Sequence, residues 1–197
     1  ALLELYTIRK EIASRGRALP QLRIAMIGDL KYGRTVHSLC KLFCLSPTIQ
    51  VTLVSPPELA MPPELVEMMR VAGLSVVETD QLEASIGKVD IAYSTRIQEE
   101  RFASKAEADL YRGKFRLNQQ VYTQYCEPNT VIMHPLPRDS RAEANELDND
   151  LNENPNLAIF RQADNGVVIR MALFALILDV VEKVDQHALD VRWYRGR

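Results

Sequence analysis

The sequence is poor in the features that mark secreted, membrane-bound or nucleic-acid-binding proteins. Its 197 residues include three cysteines, an odd number without paired spacing, which predicts reduced thiols and a cytoplasmic location. The net charge of −2 predicts no nucleic-acid partner, because phosphate backbones bind basic surfaces. The longest apolar stretch, from Val167 to Val181, includes Arg170 and Asp179, so we expect no membrane span.

Several motifs that carry nucleotide, nucleophile or metal chemistry are also missing. No G-x-G-x-x-G follows an apolar run, and no G-x-S-x-G elbow occurs. His37, Cys40 and Cys44 share helical spacing, but no second ligand cluster completes a tetrahedral metal site. We therefore favour a core-facing helix with small buried thiols over a metal site.

The composition is that of one compact domain over residues 1–197. Hydrophobic residues make up 47% and charged residues 25%, enough for a substantial core. The chain begins at Ala1 inside an apolar helical pattern, without an initiator Met and without an N-capping side chain. We therefore expect this domain to be a piece of a longer polypeptide.

Short apolar runs alternate with helical patterns along most of the chain. Strands are predicted over 22–27, 49–54, 75–78, 89–93 and 130–133, and helices over 1–14, 34–45, 63–72, 81–86 and 167–184. Long loops are expected at 96–125 and 138–157. This rhythm predicts an α/β fold: a three-layer, doubly wound, Rossmann-like parallel sheet of about five strands, with helices on both faces.

A glycine-bearing turn joins the first strand to the next helix, in Gly28-Asp29-Leu30-Lys31-Tyr32-Gly33-Arg34-Thr35. Its spacing is that of a phosphate loop, with Arg34 in place of the lysine. Strand, turn and helix start form an anion site, because the first helical N–H groups lack intrahelical partners. Either this is a degenerate nucleotide site, or its anion suits arginine better. No acidic strand end is placed to hold Mg²⁺, which disfavours a nucleotide.

Two further polar clusters follow predicted strands, at Ser94-Thr95-Arg96-Ile97-Gln98 and at His134-Pro135-Leu136-Pro137-Arg138. Strand ends of a doubly wound sheet share one edge, so Arg34 and Arg96 together fit a doubly anionic small molecule. Alternatively, both arginines pair with local acids at the surface. The prolines would leave backbone carbonyls available to a ligand, with one X–Pro bond cis, or would simply end the strand. A turn at 162–166 is expected before the last helix.

Taken in order, these motifs resemble those of the aspartate carbamoyltransferase family. The matching segments are 1–8, 28–39, 95–102, 134–138, 160–166 and 170–173. The resemblance covers the second half of such an enzyme, its C-terminal aspartate-binding domain. Ornithine enzymes carry an S-M-G loop and a cysteine where Pro135 stands, so aspartate is the expected substrate. Asp139-Ser140-Arg141 departs from the family's usual V-[DN]-E, and the tail 185–197 lies beyond the match.

The resemblance assigns roles to particular positions. Arg34 and Arg96 would bind the aspartate carboxylates, Gln98 would assist, and Thr35 would line the same site. Pro135, Leu136 and Pro137 would border the carbamoyl group, with the Leu136–Pro137 bond cis. Segment 96–112 would correspond to a mobile loop that closes over aspartate, with Glu100 and Arg101 supporting the closed form.

The implied reaction joins L-aspartate to the carbamoyl group of carbamoyl phosphate, releasing phosphate, in pyrimidine biosynthesis. No metal or organic cofactor is implied. The phosphate-binding N-terminal domain is missing, so this chain alone is expected to be inactive, and the full enzyme is expected to be a homotrimer. Helices 1–16 and 167–184 would lie near the missing domain. The alternative is a non-catalytic dicarboxylate-binding or assembly module of the same fold.

Overall fold

A parallel five-stranded sheet forms the centre of the molecule, as the strand pattern predicts. The computed structural model describes residues 1–46, 48–97, 104, 106, 109, 113–139, 141, 145–184 and 186. The strands are β1 (Arg23–Ile27), β2 (Gln50–Val54), β3 (Ser75–Thr79), β4 (Ile91–Ser94) and β5 (Val131–Met133), in the order β3-β2-β1-β4-β5. The predicted α/β class is confirmed.

Helices cover both faces of this sheet because its side chains alternate between two apolar clusters. The helices are α1 (Leu2–Ala13), α2 (Arg34–Phe43), α3 (Pro63–Val71), α4 (Leu82–Ile86), α5 (Gln119–Tyr125) and α6 (Ile159–Ile177). Ile24 and Met26 join the cluster that includes α1, α2 and α3 side chains. Ala25 and Ile27 join the cluster on the other side, with α4 and α5. The three layers follow from this alternation.

The prediction for the last helix was wrong in its boundaries. Helix α6 begins at Ile159 rather than 167 and ends at Ile177 rather than 184, so the expected turn at 162–166 lies inside it. The reason is packing against α1, because Gln162 and Asn165 are buried and donate to Glu4 and Thr7. These contacts outweigh the helix-breaking tendency of the Asp-Asn-Gly sequence that suggested a turn.

Helix α5 lies within the 96–125 segment that the sequence predicts to be a loop. The Asn118 side chain accepts a hydrogen bond of 2.8 Å from the Val121 amide and so caps the helix. Its buried Tyr122 donates a bond of 3.0 Å to the Thr130 carbonyl, which joins the helix to the start of β5. Short 3-10 turns at Pro57–Leu59, Asn149–Glu153 and Val181–Lys183 complete the described elements.

Candidate substrate-binding cleft

A cleft of about 270 Å³ lies where the strand order reverses, between the carboxyl ends of β1 and β4. Three loops line it, those that follow β1, β4 and β5. The lining residues are Asp29, Gly33, Arg34, Thr35, Thr95, Arg96, His134, Pro135, Leu136 and Pro137. The structure thus brings together six predicted site residues: Arg34, Thr35, Arg96, Pro135, Leu136 and Pro137. The other three, Gln98, Glu100 and Arg101, lie outside the described residues, as does most of segment 96–112.

The loop after β1 is shaped by close backbone approach. Gly28 has a φ of +106°, and a Cβ there would lie 2.4 Å from the Thr95 carbonyl oxygen, so no other residue fits. Asp29 Oδ1 accepts a hydrogen bond of 2.9 Å from the Tyr32 amide and closes the turn. The turn delivers Arg34 to the first position of α2, where no side chain caps the helix. The N-terminal end of α2, which carries the positive end of the helix dipole, faces the cleft because Gly33, Arg34 and Thr35 line it.

Thr95 joins the loop after β4 to the end of β1 through two hydrogen bonds. Its amide and its hydroxyl both donate to the Ile27 carbonyl, at 2.9 and 2.8 Å. These two hydrogen bonds between neighbouring strand ends fix the backbone immediately before Arg96. The Arg96 charge also acts on Asp139, whose pKa falls to about 2 chiefly through hydrogen bonds from Arg141, with Arg96 contributing less.

The loop after β5 forms a tight turn with the expected cis Leu136–Pro137 bond, which is confirmed. His134 is 1% exposed, and its Nδ1 accepts a hydrogen bond of 2.9 Å from the Leu136 amide. The His134 amide donates 3.1 Å to Oε1 of Gln162, on α6. Buried polar groups therefore hold the turn from its inner side, while Leu136 and Pro137 face outward.

The arrangement is suited to binding an anion rather than a metal. Two guanidinium groups and one helix start share the cleft, and guanidinium groups bind carboxylates with directional hydrogen bonds. Across the described ranges, no group of three or more His, Cys, Asp and Glu side chains could hold a metal ion. Burial raises the pKa of the Cys40 thiol to about 12, in keeping with an apolar core position rather than a ligand.

Within the described part of the chain, every helix falls short of what a membrane crossing requires.

Four lining residues were missing from the predicted site residues: Asp29, Gly33, Thr95 and His134. Asp29 lies between two loop glycines and Thr95 directly precedes Arg96, so proximity in sequence was a usable signal for both. Gln162 contacts the turn from α6, and the sequence marked it only as part of the polar segment 162–166, without a predicted role in the site.

The structure is therefore a doubly wound α/β domain in which two arginines line a cleft at the sheet's switch point. The family model for the "Aspartate/ornithine carbamoyltransferase, Asp/Orn binding domain" matches residues 20–177, and the chain belongs to this family.

Sequence relatives and solved structures match almost the whole of this chain. The aspartate carbamoyltransferase catalytic subunit of Cellvibrio japonicus is 73% identical over 98% of this chain and 57% of its own length. The solved catalytic subunit of M. jannaschii aspartate transcarbamoylase is 35% identical with a TM-score of 0.79, over 90% of this chain and 55% of that one. The Trypanosoma cruzi enzyme in complex with aspartate and phosphate is 33% identical with a TM-score of 0.73, over 88% of this chain and 51% of that one. This chain therefore spans little more than half the length of these relatives.

Proposed function

We propose that this chain is the aspartate-binding part of an aspartate carbamoyltransferase. The observation that carries the proposal is the meeting of Arg34 and Arg96, from loops after two different strands, in one cleft with the 134–137 turn. Two guanidinium groups match the two carboxylates of L-aspartate, and each can bind one of them through paired N–H groups. The relative from T. cruzi, a complex with aspartate and phosphate, supports the choice of ligand.

In this proposal the other residues of the cleft orient the reacting groups. Thr35 lines the aspartate site beside Arg34. Leu136 and Pro137, with the Pro135 carbonyl, border the carbamoyl group. Gln98 assists in binding aspartate, and Glu100 with Arg101 supports closure of segment 96–112 over it.

The proposed reaction is attack by the aspartate amine on the carbamoyl carbon of carbamoyl phosphate. The new C–N bond forms N-carbamoyl-L-aspartate, the C–O bond to phosphate breaks, and the proton lost by the amine passes to the released phosphate. This chain contributes positioning of the amine, and positioning alone can supply several kcal/mol of barrier lowering. A further part of the polypeptide would hold the phosphate, so this chain alone would not catalyse the reaction. The complete enzyme would be a cytoplasmic homotrimer that acts in pyrimidine synthesis. It would need no metal or organic cofactor.

The proposal is tested by titrating L-aspartate into the complete subunit that carries this domain, in the presence of phosphate. Arg96→Ala is expected to lose about 2–5 kcal/mol of binding, which is at least a roughly 30-fold weaker Kd. Arg96→Lys should recover only part of it, because an ammonium group cannot bind a carboxylate bidentately. Arg70→Ala is the matched control, since Arg70 forms an exposed ion pair with Glu78 far from the cleft.

Three results would contradict the proposal. One is an Arg96→Ala variant that binds aspartate like the Arg70→Ala control. Another is L-ornithine binding in preference to L-aspartate. Turnover by the isolated 197-residue chain would contradict its assignment to one half of the enzyme. Aspartate binding without carbamoyl transfer in the complete subunit would instead favour the non-catalytic dicarboxylate-binding module.

A further inference from the structure

A buried carboxylate contacts both ends of the turn that follows β5. Glu146 is 5% exposed, and its Oε1 lies 2.7 Å from Nε2 of His134, the first residue of the turn. The same carboxylate accepts from the backbone amide of Asp139, at 3.1 Å to Oε1 and 3.3 Å to Oε2. One side chain thus spans the base of the loop that presents residues 135–137 to the cleft.

The hydrogen bond from Leu136 determines how His134 faces this carboxylate. Nδ1 of His134 accepts from the Leu136 amide, so Nδ1 has no proton and the neutral ring carries its proton on Nε2. That Nε2–H group lies beside the Glu146 carboxylate, but the N–H bond does not point at the carboxylate oxygen closely enough to form a full hydrogen bond. The contact is therefore a charge–dipole attraction, strengthened because both groups are buried.

We propose that Glu146 is a positioning residue for carbamoyl transfer, acting through His134 and the Asp139 amide. The inference rests on the proposed function, in which the carbonyl groups of the turn border the carbamoyl group. Leu136 has a φ of +45°, a conformation that a leucine holds only when its surroundings enforce it. Glu146 supplies that enforcement from one side, and Gln162 supplies it from the other by accepting from the His134 amide.

A positioning role and a purely stabilising role differ in what they predict. If Glu146 only stabilised the fold, its loss would lower the folded fraction and leave the turnover of folded enzyme unchanged. If it positions the turn, the turn carbonyls shift while the arginines remain in place. The loss then falls on kcat, and the KM for aspartate changes little.

The experiment compares Glu146→Leu and Glu146→Gln in the complete subunit, with Glu11→Leu as the control. Glu11 is a similarly buried, ion-paired carboxylate, but it pairs with Arg15 and Arg161 away from the cleft. We expect Glu146→Leu to lower kcat about tenfold to a hundredfold, the range caused by misplacement of about 1 Å. The KM for aspartate should stay within about threefold of wild type, because positioning mutations act on the transition state.

Glu146→Gln should restore kcat to within about threefold of wild type, since its amide oxygen still accepts from the Asp139 amide and its carbonyl dipole still faces Nε2–H of His134. Hydrogen exchange of peptides spanning 134–139 should be faster in Glu146→Leu and unchanged in Glu11→Leu. If Glu146→Leu does not fold, Glu146→Asp replaces it, because the shorter side chain cannot reach both ends of the turn. Its kcat should fall as well.

A kcat for Glu146→Leu equal to that of Glu11→Leu would overturn the proposal, and so would an unchanged kcat in Glu146→Asp. Unaltered exchange over 134–139 in Glu146→Leu would also overturn it, whatever the activity. The proposed function fails by a different result, namely absence of carbamoyl transfer in wild-type enzyme. The exchange measurement is independent of that result.

Discussion

At the scale of single residues, Asp139, two residues after the cleft residue Pro137, keeps its negative charge because guanidinium groups lie close to it. Its pKa falls from 3.8 to about 2, chiefly through hydrogen bonds from Arg141, and the charge of Arg96 is a smaller contribution to that fall. A lowered carboxyl pKa contributes stability that is present above about pH 4 and is lost as the pH falls toward 2.

Arg141→Gln should therefore raise the pKa of Asp139 toward 3.8 and remove the loss of stability that Asp139 causes at low pH. The measurement is an NMR titration of the Asp139 side-chain carboxyl carbon from about pH 1.5 to about pH 6, a range that brackets both the bound and the ordinary carboxyl pKa. Arg70→Gln provides the control, because Arg70 pairs with Glu78 instead. An Asp139 pKa that does not move on loss of Arg141 would refute the pairing.

At the scale of elements, hydrogen bonds and an ion pair between polar side chains join α1 to α6. Glu4 accepts from Gln162 at 2.5 Å, Thr7 accepts from Asn165 at 3.0 Å, and Glu11 pairs with Arg161 at 2.7 Å. Burial raises the pKa of Glu4, although the N-terminal amine, Gln162 and Tyr93 act against it. Desolvation outweighs these contacts, so the folded state disfavours the ionised form of Glu4 relative to the protonated form.

Glu4→Gln is expected to raise the free energy of unfolding at pH 7. A raised pKa means that the folded state binds a proton more tightly, so wild-type stability declines as the pH rises from 4.5 through the folded-state value. The amide removes this decline and still offers an oxygen to Gln162. Urea unfolding at several pH values measures the effect.

Glu11→Gln is the matched comparison and should change stability in the opposite direction. Desolvation raises the pKa of Glu11, but hydrogen bonds and charges from Arg161 and Arg15 outweigh it, so the pKa is lowered. Removing that charge should destabilise the protein at pH 7. Equal effects of the two substitutions would contradict the conclusion that burial outweighs the favourable contacts of Glu4.

The sequence predicts those parts of the fold and of the site that depend on contacts between residues close together in the chain. The five strands are marked by apolar runs, and parallel topology then places Arg34 and Arg96 on one edge. The Asn118 cap is a local signal for α5, although it stands in a segment whose weak apolar pattern predicts a loop. The extension of α6 depends on α1, and the role of Glu146 depends on His134, contacts that only folding brings together.

At the scale of the whole molecule, one face of α6 is apolar and exposed. Met171 is 62%, Phe174 63% and Ile177 76% exposed. A groove of about 710 Å³ lies between α1 and α6 and is lined on the α6 side by Ile169, Ala172, Leu173 and Leu176. Contiguous apolar surface of this kind marks an interaction site or an aggregation surface. In the proposed enzyme, the remainder of the polypeptide is the expected cover.

The 197-residue chain by itself should therefore self-associate through this face. Light scattering coupled to size-exclusion chromatography is expected to give a mass above 22.4 kDa that rises with concentration. Replacing both Met171 and Phe174 with glutamate should lower that mass toward the monomer, because the charges oppose burial of the face in a second copy. It should leave the unfolding free energy within about 0.5 kcal/mol, since exposed positions contribute little to the core. The exposed pair Arg70 and Glu78, on the α3–β3 side, offers a control in which Arg70→Glu leaves association unchanged. A strictly monomeric chain at all concentrations, or association unaffected by the double glutamate variant, would show that this face is not the one that drives contact.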